Sequence, residues 1–232
     1  MLMLLQTDLT ETAANAVENK VATDTTMKFI DLALKGGWVM VPIVLLSIVA
    51  VYILFERWGA ISRASKIDIN FMNRIKDYIH EGKLESAHAL CQSYNNPIAR
   101  MIEKGVNRIG RPLNDISAAI ENIGKLQIYQ LEKGLPILAS VAGGAPMIGF
   151  LGTVMGMIRS FIDMSKAGSN IVVAQLSSGI YQALVTTVAG LIVGILAYFA
   201  YNLLVSKVEK IVFQLEATST EFMDLLNEPV KK

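Results

Sequence analysis

The sequence predicts an all-α integral membrane protein with three transmembrane helices and long cytoplasmic helical extensions. Three observations predict it. Hydrophobic residues make up 53% of the chain and charged residues 18%, where a soluble domain carries about 25% charged. The charges are withheld from three long runs, 36–55, 134–158 and 167–206. No stretch of useful length alternates apolar and polar side chains as a strand would.

An apolar helix needs about twenty residues to cross the hydrocarbon core, so the first two runs suit one crossing each. The third begins with Gly168, Ser169, Asn170, Gln175, Ser177 and Ser178, too polar for lipid, and is trimmed to a crossing at 178–206. The first crossing, 36–56, follows a polar segment, 1–35. A signal sequence would place its apolar core earlier, behind a basic start, so this span is read as a retained helix. Trp38 and Trp58 bracket it as interfacial anchors.

Orientation follows from Lys and Arg. Segment 1–35 and the loop 159–177 together hold five, whereas 57–133 and the tail 207–232 hold sixteen. The richer side is cytoplasmic by the positive-inside rule. Residues 1–35 and 159–177 then lie outside, the span 134–158 lies between the cytoplasmic domain and that loop, and membrane lipid surrounds the crossings.

In the cytoplasmic domain, Ile75, Ile79, Leu84, Ala87, Leu90, Ile98, Met101 and Ile102 recur at helical spacing. Gly82 and Asn95-Asn96-Pro97 break this into short helices. After Pro112, Asn114 and Asp115 offer N-caps, and Ile116, Ile120, Ile123, Leu126 and Leu131 continue toward the second span as one long projecting helix. Past Lys207, the series Val208, Ile211, Val212 and Leu215 extends the third span likewise.

The net charge of +1 and a pI near 7.8 give no ground for a nucleic-acid partner. A single cysteine, Cys91, rules out an intrachain disulfide. His80 and His88 lack an acidic or thiol cluster that would complete a metal site. No metal and no cofactor is expected.

Apart from Glu56 at the very end of the first, the three crossings contain no Asp, Glu, Lys, Arg or His. Such groups are kept at membrane depth where ion pathways need them, against a cost of about 2.5–3.5 kcal/mol or more each. If this chain moves protons, the carboxylate comes from elsewhere. Small and hydroxyl residues, by contrast, are ordered. Ala145, Gly149, Gly152, Thr153, Gly156 and Ser160 fall within about 100° of arc at 100° per residue. Gly179, Ala183, Thr187, Gly190 and Gly194 share about 80° on the third span, with Gln182 and Thr186 on the flank. Close helix packing, with each Thr bonding its own i−4 carbonyl, accounts for this spacing. So does a set of hydroxyls, Thr153, Thr186 and Thr187, facing a pore or a partner helix. Pro146 interrupts the second span and removes a backbone hydrogen bond.

Three segments resemble a known family. Gly-Gly-Ala-Pro-Met-Ile-Gly-Phe-Leu-Gly-Thr-Val-Met-Gly-Met-Ile (143–158) is similar to the second-span signature of the ExbB/TolQ proteins, relatives of the flagellar stator protein MotA. Gly-Ile-Tyr-Gln-Ala-Leu-Val-Thr-Thr-Val-Ala-Gly-Leu (179–191) is similar to their third-span signature. Lys-Gly-Gly-Trp-Val-Met-Val-Pro (35–42) and Phe-Glu-Arg-Trp (55–58) suit their first span. The resemblance covers most of the chain from about residue 30 on.

It implies a homo-oligomer, a pentamer, whose second and third spans surround a pore. A single-span partner of the ExbD or TolR type occupies the pore and brings an intramembrane Asp, and proton flow energises a TonB- or TolA-type protein. Thr153 and Thr187 match the threonines taken to line that pore, and Gln182 stands where many members carry Glu. The residues before the first span favour ExbB-like duty in TonB-dependent transport. A TolQ-like subunit of the Tol-Pal system is the alternative, and a passive membrane scaffold is a third reading. An intramembrane enzyme is disfavoured, since the spans hold no nucleophile–base pair.

Overall fold

The computed structural model describes residues 36–65, 68, 70–167 and 173–227. Segment 1–35, the middle of the 159–177 loop and the last five residues lie outside that description. Seven helices follow in order: α1 (Met40–Ala64), α2 (Phe71–His80), α3 (Leu84–Ser93), α4 (Pro97–Val106), α5 (Leu113–Glu132), α6 (Leu135–Ala167) and α7 (Val173–Asn227). No strand occurs among the described residues. Three helical stretches, within Met40–Ala64, Leu113–Lys166 and Ser177–Asn227, are long and apolar enough to cross a membrane. The protein is an all-α membrane protein.

Two compact units divide the chain. One takes Met1–Val44 and Pro146–Leu191, the other Leu45–Ala145 and Ile192–Lys232. Helices α1, α6 and α7 contribute to both.

The larger unit has a core of side chains. Ile61, Ile75, Ile102, Ile116, Ile120, Leu138, Leu204, Ile211 and Phe222 are all fully buried in it. The short helices start and stop where local chemistry demands. Gly82 adopts φ +71° between α2 and α3, a left-handed conformation that side chains resist. Asn96 caps α4 by accepting the Ala99 N–H at 2.7 Å, with Pro97 in the first turn. The Phe71 ring meets Tyr94 edge-on at 5.3 Å, and the Tyr94 hydroxyl donates to Asp68 at 2.7 Å. Lys207 Nζ stands 3.3 Å over the Trp58 ring, a cation–π contact at the far anchor of the first span.

Two boundaries differ from expectation. Helix α5 begins at Leu113 behind Pro112, whose φ of −53° and ψ of 139° set the turn, so Asn114 and Asp115 lie inside the first turn instead of capping it. Nor does α5 run unbroken into α6. Lys133 turns to ψ 126° and Gly134 to φ +88°, and Pro136 has no N–H with which to continue the ladder. Arg57 from α1 donates to the Gln130 carbonyl at 3.3 Å, satisfying one of the orphan acceptors at the end of α5.

Elsewhere the helices outrun the apolar runs. α6 continues through Arg159 to Ala167, because charge ends a membrane crossing without ending a helix. α7 is 55 residues long, about 80 Å at 1.5 Å per residue.

Candidate functional site

Inside the smaller unit, α6 and α7 meet along the two stripes of small residues. The contact is between backbones. A Cβ added at Gly149 would stand 2.9 Å from the Thr186 carbonyl oxygen and 3.2 Å from Gly190 Cα. One at Gly156 would stand 2.8 Å from Ala183 Cβ and 2.9 Å from the Gly179 oxygen. At Gly152 it would strike the Thr186 side chain, and at Gly179 the Ser160 hydroxyl. Two helices approach this closely only where at least one of them carries no side chain.

The seam brings together Thr153, Thr186, Thr187, Gly149, Gly152, Gly156, Gly179, Ala183 and Gly190. Ala145 and Gly194, predicted on the same stripes, belong to the larger unit, where Ala145 is part of the buried core. Gln182 stands apart, donating through Nε2 to the Gly36 carbonyl at 3.3 Å.

The three threonines have different settings. Thr186 is 1% exposed, fills the space over Gly152 and donates to the Ala183 carbonyl at 2.8 Å. Its hydroxyl is closed to any incoming group. Thr153 and Thr187 are half-buried, and their oxygens lie 3.4 Å apart. Thr153 donates to the Phe150 carbonyl at 2.5 Å. Thr187 has one hydrogen to give, and its shortest bond reaches across the seam to the Gly149 carbonyl at 3.1 Å, with its own i−4 carbonyl at 3.4 Å. The sequence pattern left open local back-bonding or hydroxyls facing a pore or partner helix, and neither reading named this bond across the seam, because facing backbones are a tertiary property. It put Ser160 on the stripe without naming it among the site hydroxyls, and Ser160 is 2% exposed and sits where a Gly179 side chain would be.

With both hydrogens committed to carbonyls, the pair presents lone pairs to whatever approaches. On the same stretches of α6 and α7, Met147, Phe150, Val154, Leu184, Val188 and Leu191 are exposed and apolar. In such surroundings a protonated carboxyl can donate to these oxygens. An ionised one needs donors, so at least one threonine would have to release its carbonyl. Among the described residues no group of three or more His, Cys, Asp or Glu could hold a metal ion. Cys91, in the larger unit, is buried, and burial, with Glu103 nearby, pushes its thiol up to about 12, far from the reactive range.

Comparison with known proteins agrees with the geometry. Residues 93–217 match the model of the MotA/TolQ/ExbB proton channel family. The chain is similar to biopolymer transport protein ExbB-like 1 of Synechocystis sp., at 31% identity over 78% of this chain and 72% of that one. It is similar to the Tol-Pal system protein TolQ of Pseudomonas aeruginosa, at 26% over 83% and 87%. It also resembles the biopolymer transport protein ExbB of Aquifex aeolicus, at 37% over 49% and 77%. The second and third spans, the glycine seam and the hydroxyl pair lie in the stretch that the family model covers, and the chain belongs to the MotA/TolQ/ExbB proton channel family, as a motor subunit of the proton-channel type.

Proposed function

We propose that five copies of this chain surround a membrane pore, and that Thr153 and Thr187 of each copy face the intramembrane Asp of a single-span ExbD- or TolR-type partner held in that pore. The observation that carries the reading is the Thr153–Thr187 pair, 3.4 Å apart, in a chain whose second and third crossings contain no Asp, Glu, Lys, Arg or His. A foreign carboxylic acid can dock on the pair in its neutral form by donating to the threonine oxygens. Losing its proton removes that bond and adds a charge that this apolar setting disfavours by several kcal/mol, on the order of the cost of burying an isolated ion in protein. The two protonation states therefore favour different positions of the partner, and a proton gradient that cycles them drives motion in one direction.

The output is transport of the TonB-dependent kind, with the N-terminus periplasmic and the C-terminus cytoplasmic in a bacterial inner membrane. TolQ-like duty is the second reading, favoured by the near full-length match to the TolQ relative. Neither reading assigns an enzyme activity to the chain.

The test is native mass spectrometry of the complex from its own membranes, with co-purifying chains identified, beside Thr153→Val and Thr187→Val. A ring holding a single-span chain with a membrane Asp, and loss of ion flow in the variants with the ring intact, is expected. A ring without such a partner would leave a passive scaffold, and variants that conduct normally would take Thr153 and Thr187 out of the ion pathway.

A further inference from the structure

We infer that Gln182 is a latch that fastens the start of α1 to α7, and that through it α7 is held in the rotation that turns Thr187 toward Thr153. Why that rotation matters rests on the proposed function, while the latch itself stands on geometry.

The chain reaches α1 through Gly36 and Gly37. Gly37 has φ +70°, and its carbonyl accepts the Met40 N–H at 3.1 Å, opening the helix. The carbonyl of the buried Gly36 accepts the Gln182 amide across 146 residues of sequence. A Cβ on Gly37 would land on Gln182 Nε2, so the amide lies against bare backbone. Gly37 is thus required twice, for its left-handed turn and for the room it leaves. On α7, Gln182 lies about 40° around the helix from Thr186 and about 140° from Thr187 at 100° per residue. It does not share the approach to the hydroxyl pair. The seam with α6 grips one side of α7 and the latch grips it beside that seam, so two anchors in different directions fix its rotation. An amide also has no titratable proton, which suits it to hold a helix and unsuits it to relay one.

Three readouts on the full chain in lipid nanodiscs test this. In a Trp58→Phe background Trp38 is the sole tryptophan, next to Gly37, and its anisotropy follows the start of α1. Amide exchange at Met40 and Val41 follows the first turn. Disulfide yield between Thr153→Cys and Thr187→Cys, with Cys91→Ser, follows the rotation of α7. Gln182→Leu, similar in size without a donor, is expected to lower Trp38 anisotropy, to speed exchange about fivefold (the net worth of one neutral hydrogen bond) and to cut the disulfide yield. Gly37→Ala displaces the amide and should do the same. Combined with Gln182→Leu it should add only its backbone strain, a non-additivity that marks a shared contact.

Unchanged anisotropy and exchange in both variants would overturn the latch. A loosened α1 with full disulfide yield would overturn the hold on α7. Lost ion flow with all three readouts unchanged would make Gln182 part of the pathway itself and overturn the inference. None of these readouts needs the partner, so a failed motor reading leaves them intact and is told apart from a failed latch.

Discussion

Where α6 meets α7 between residues 146 and 191, glycines let backbone touch backbone. Where α4, α5 and the end of α7 meet, side chains as large as Phe222 fill the space between helices. Both seams contain a glycine that a methyl group would fill, yet the neighbours differ. Around Gly149 and Gly156 they include backbone or the first atom of a side chain, whereas around Gly105 they are ring and methyl tips of Phe222 and Ile120. The solvent explains the contrast. Surrounded by lipid, two apolar helices gain nothing from leaving it, so only close van der Waals contact and hydrogen bonds hold them. Surrounded by water, burial of large apolar groups supplies about 25 cal/mol per Å². The region that carries the hydroxyl pair is thus held by shape, and the region that is mostly polar outside by burial.

The largest effect that tests this contrast lies in the water-facing core. Phe222→Ala empties a fully buried site and should cost about 3–5 kcal/mol, read as a fall in the denaturation midpoint of the purified chain. The sharper version adds Gly105→Ala. In the native chain its Cβ would stand 2.6 Å from the Phe222 ring and 2.8 Å from Ile120, so it should destabilise. In the Phe222→Ala background it fills part of the cavity and should stabilise. The same sign in both backgrounds would mean that Gly105 and Phe222 do not share that space.

The lipid-facing seam should break differently. Gly149→Ala and Gly156→Ala should each cost about 1–3 kcal/mol, the range for overpacking, seen as lost assembly or a lower midpoint in detergent. At Gly152 the obstacle is the Thr186 side chain. Gly152→Ala should therefore be largely relieved by Thr186→Gly, which removes the Cβ at 2.7 Å along with the hydroxyl, while Gly149→Ala, blocked by the Thr186 carbonyl, should not. Equal rescue of both would contradict the division between backbone and side-chain contacts.

A smaller change is expected from Thr187→Val, which deletes the bond to the Gly149 carbonyl. Hydrogen bonds between membrane helices are worth roughly 0.6 kcal/mol on average, so assembly should survive while ion flow does not. Collapse of the ring would mark Thr187 as a structural residue alone.

How much of this was legible in the sequence depends on the range of the cause. The three crossings and the all-helical fold follow from where charges are absent, a property of each segment by itself. The break at Gly134 was visible as a glycine and a proline two residues on, but a helical pattern continuing through Leu131 outweighed them until backbone angles decided it. The stripes named the residues that form the seam. What the stripes could not assign was the direction of each hydroxyl, because Thr186 and Thr187 are adjacent and only the position of α6 makes one a filler and the other a cross-helix donor. Gln182 is the extreme case. Its partner, Gly36, lies 146 residues away, and no periodicity connects them.

The smallest predicted effect is electrostatic and belongs to the water-facing region. The Tyr94 hydroxyl beside Asp68, then the Asn70 N–H and the Arg74 charge, hold the Asp68 carboxyl below its ordinary value. A depressed carboxyl contributes stability that is present above its unfolded pKa, about 3.9, and is lost as pH falls through the folded value. Tyr94→Phe removes the largest of these causes and keeps the ring that meets Phe71 edge-on. The midpoint gap between native chain and variant should therefore be steady from neutral pH down to about 4, near the unfolded carboxylate pKa, and close as the pH drops further. A gap that persists unchanged into strong acid would trace the Tyr94 hydroxyl's contribution to something other than Asp68.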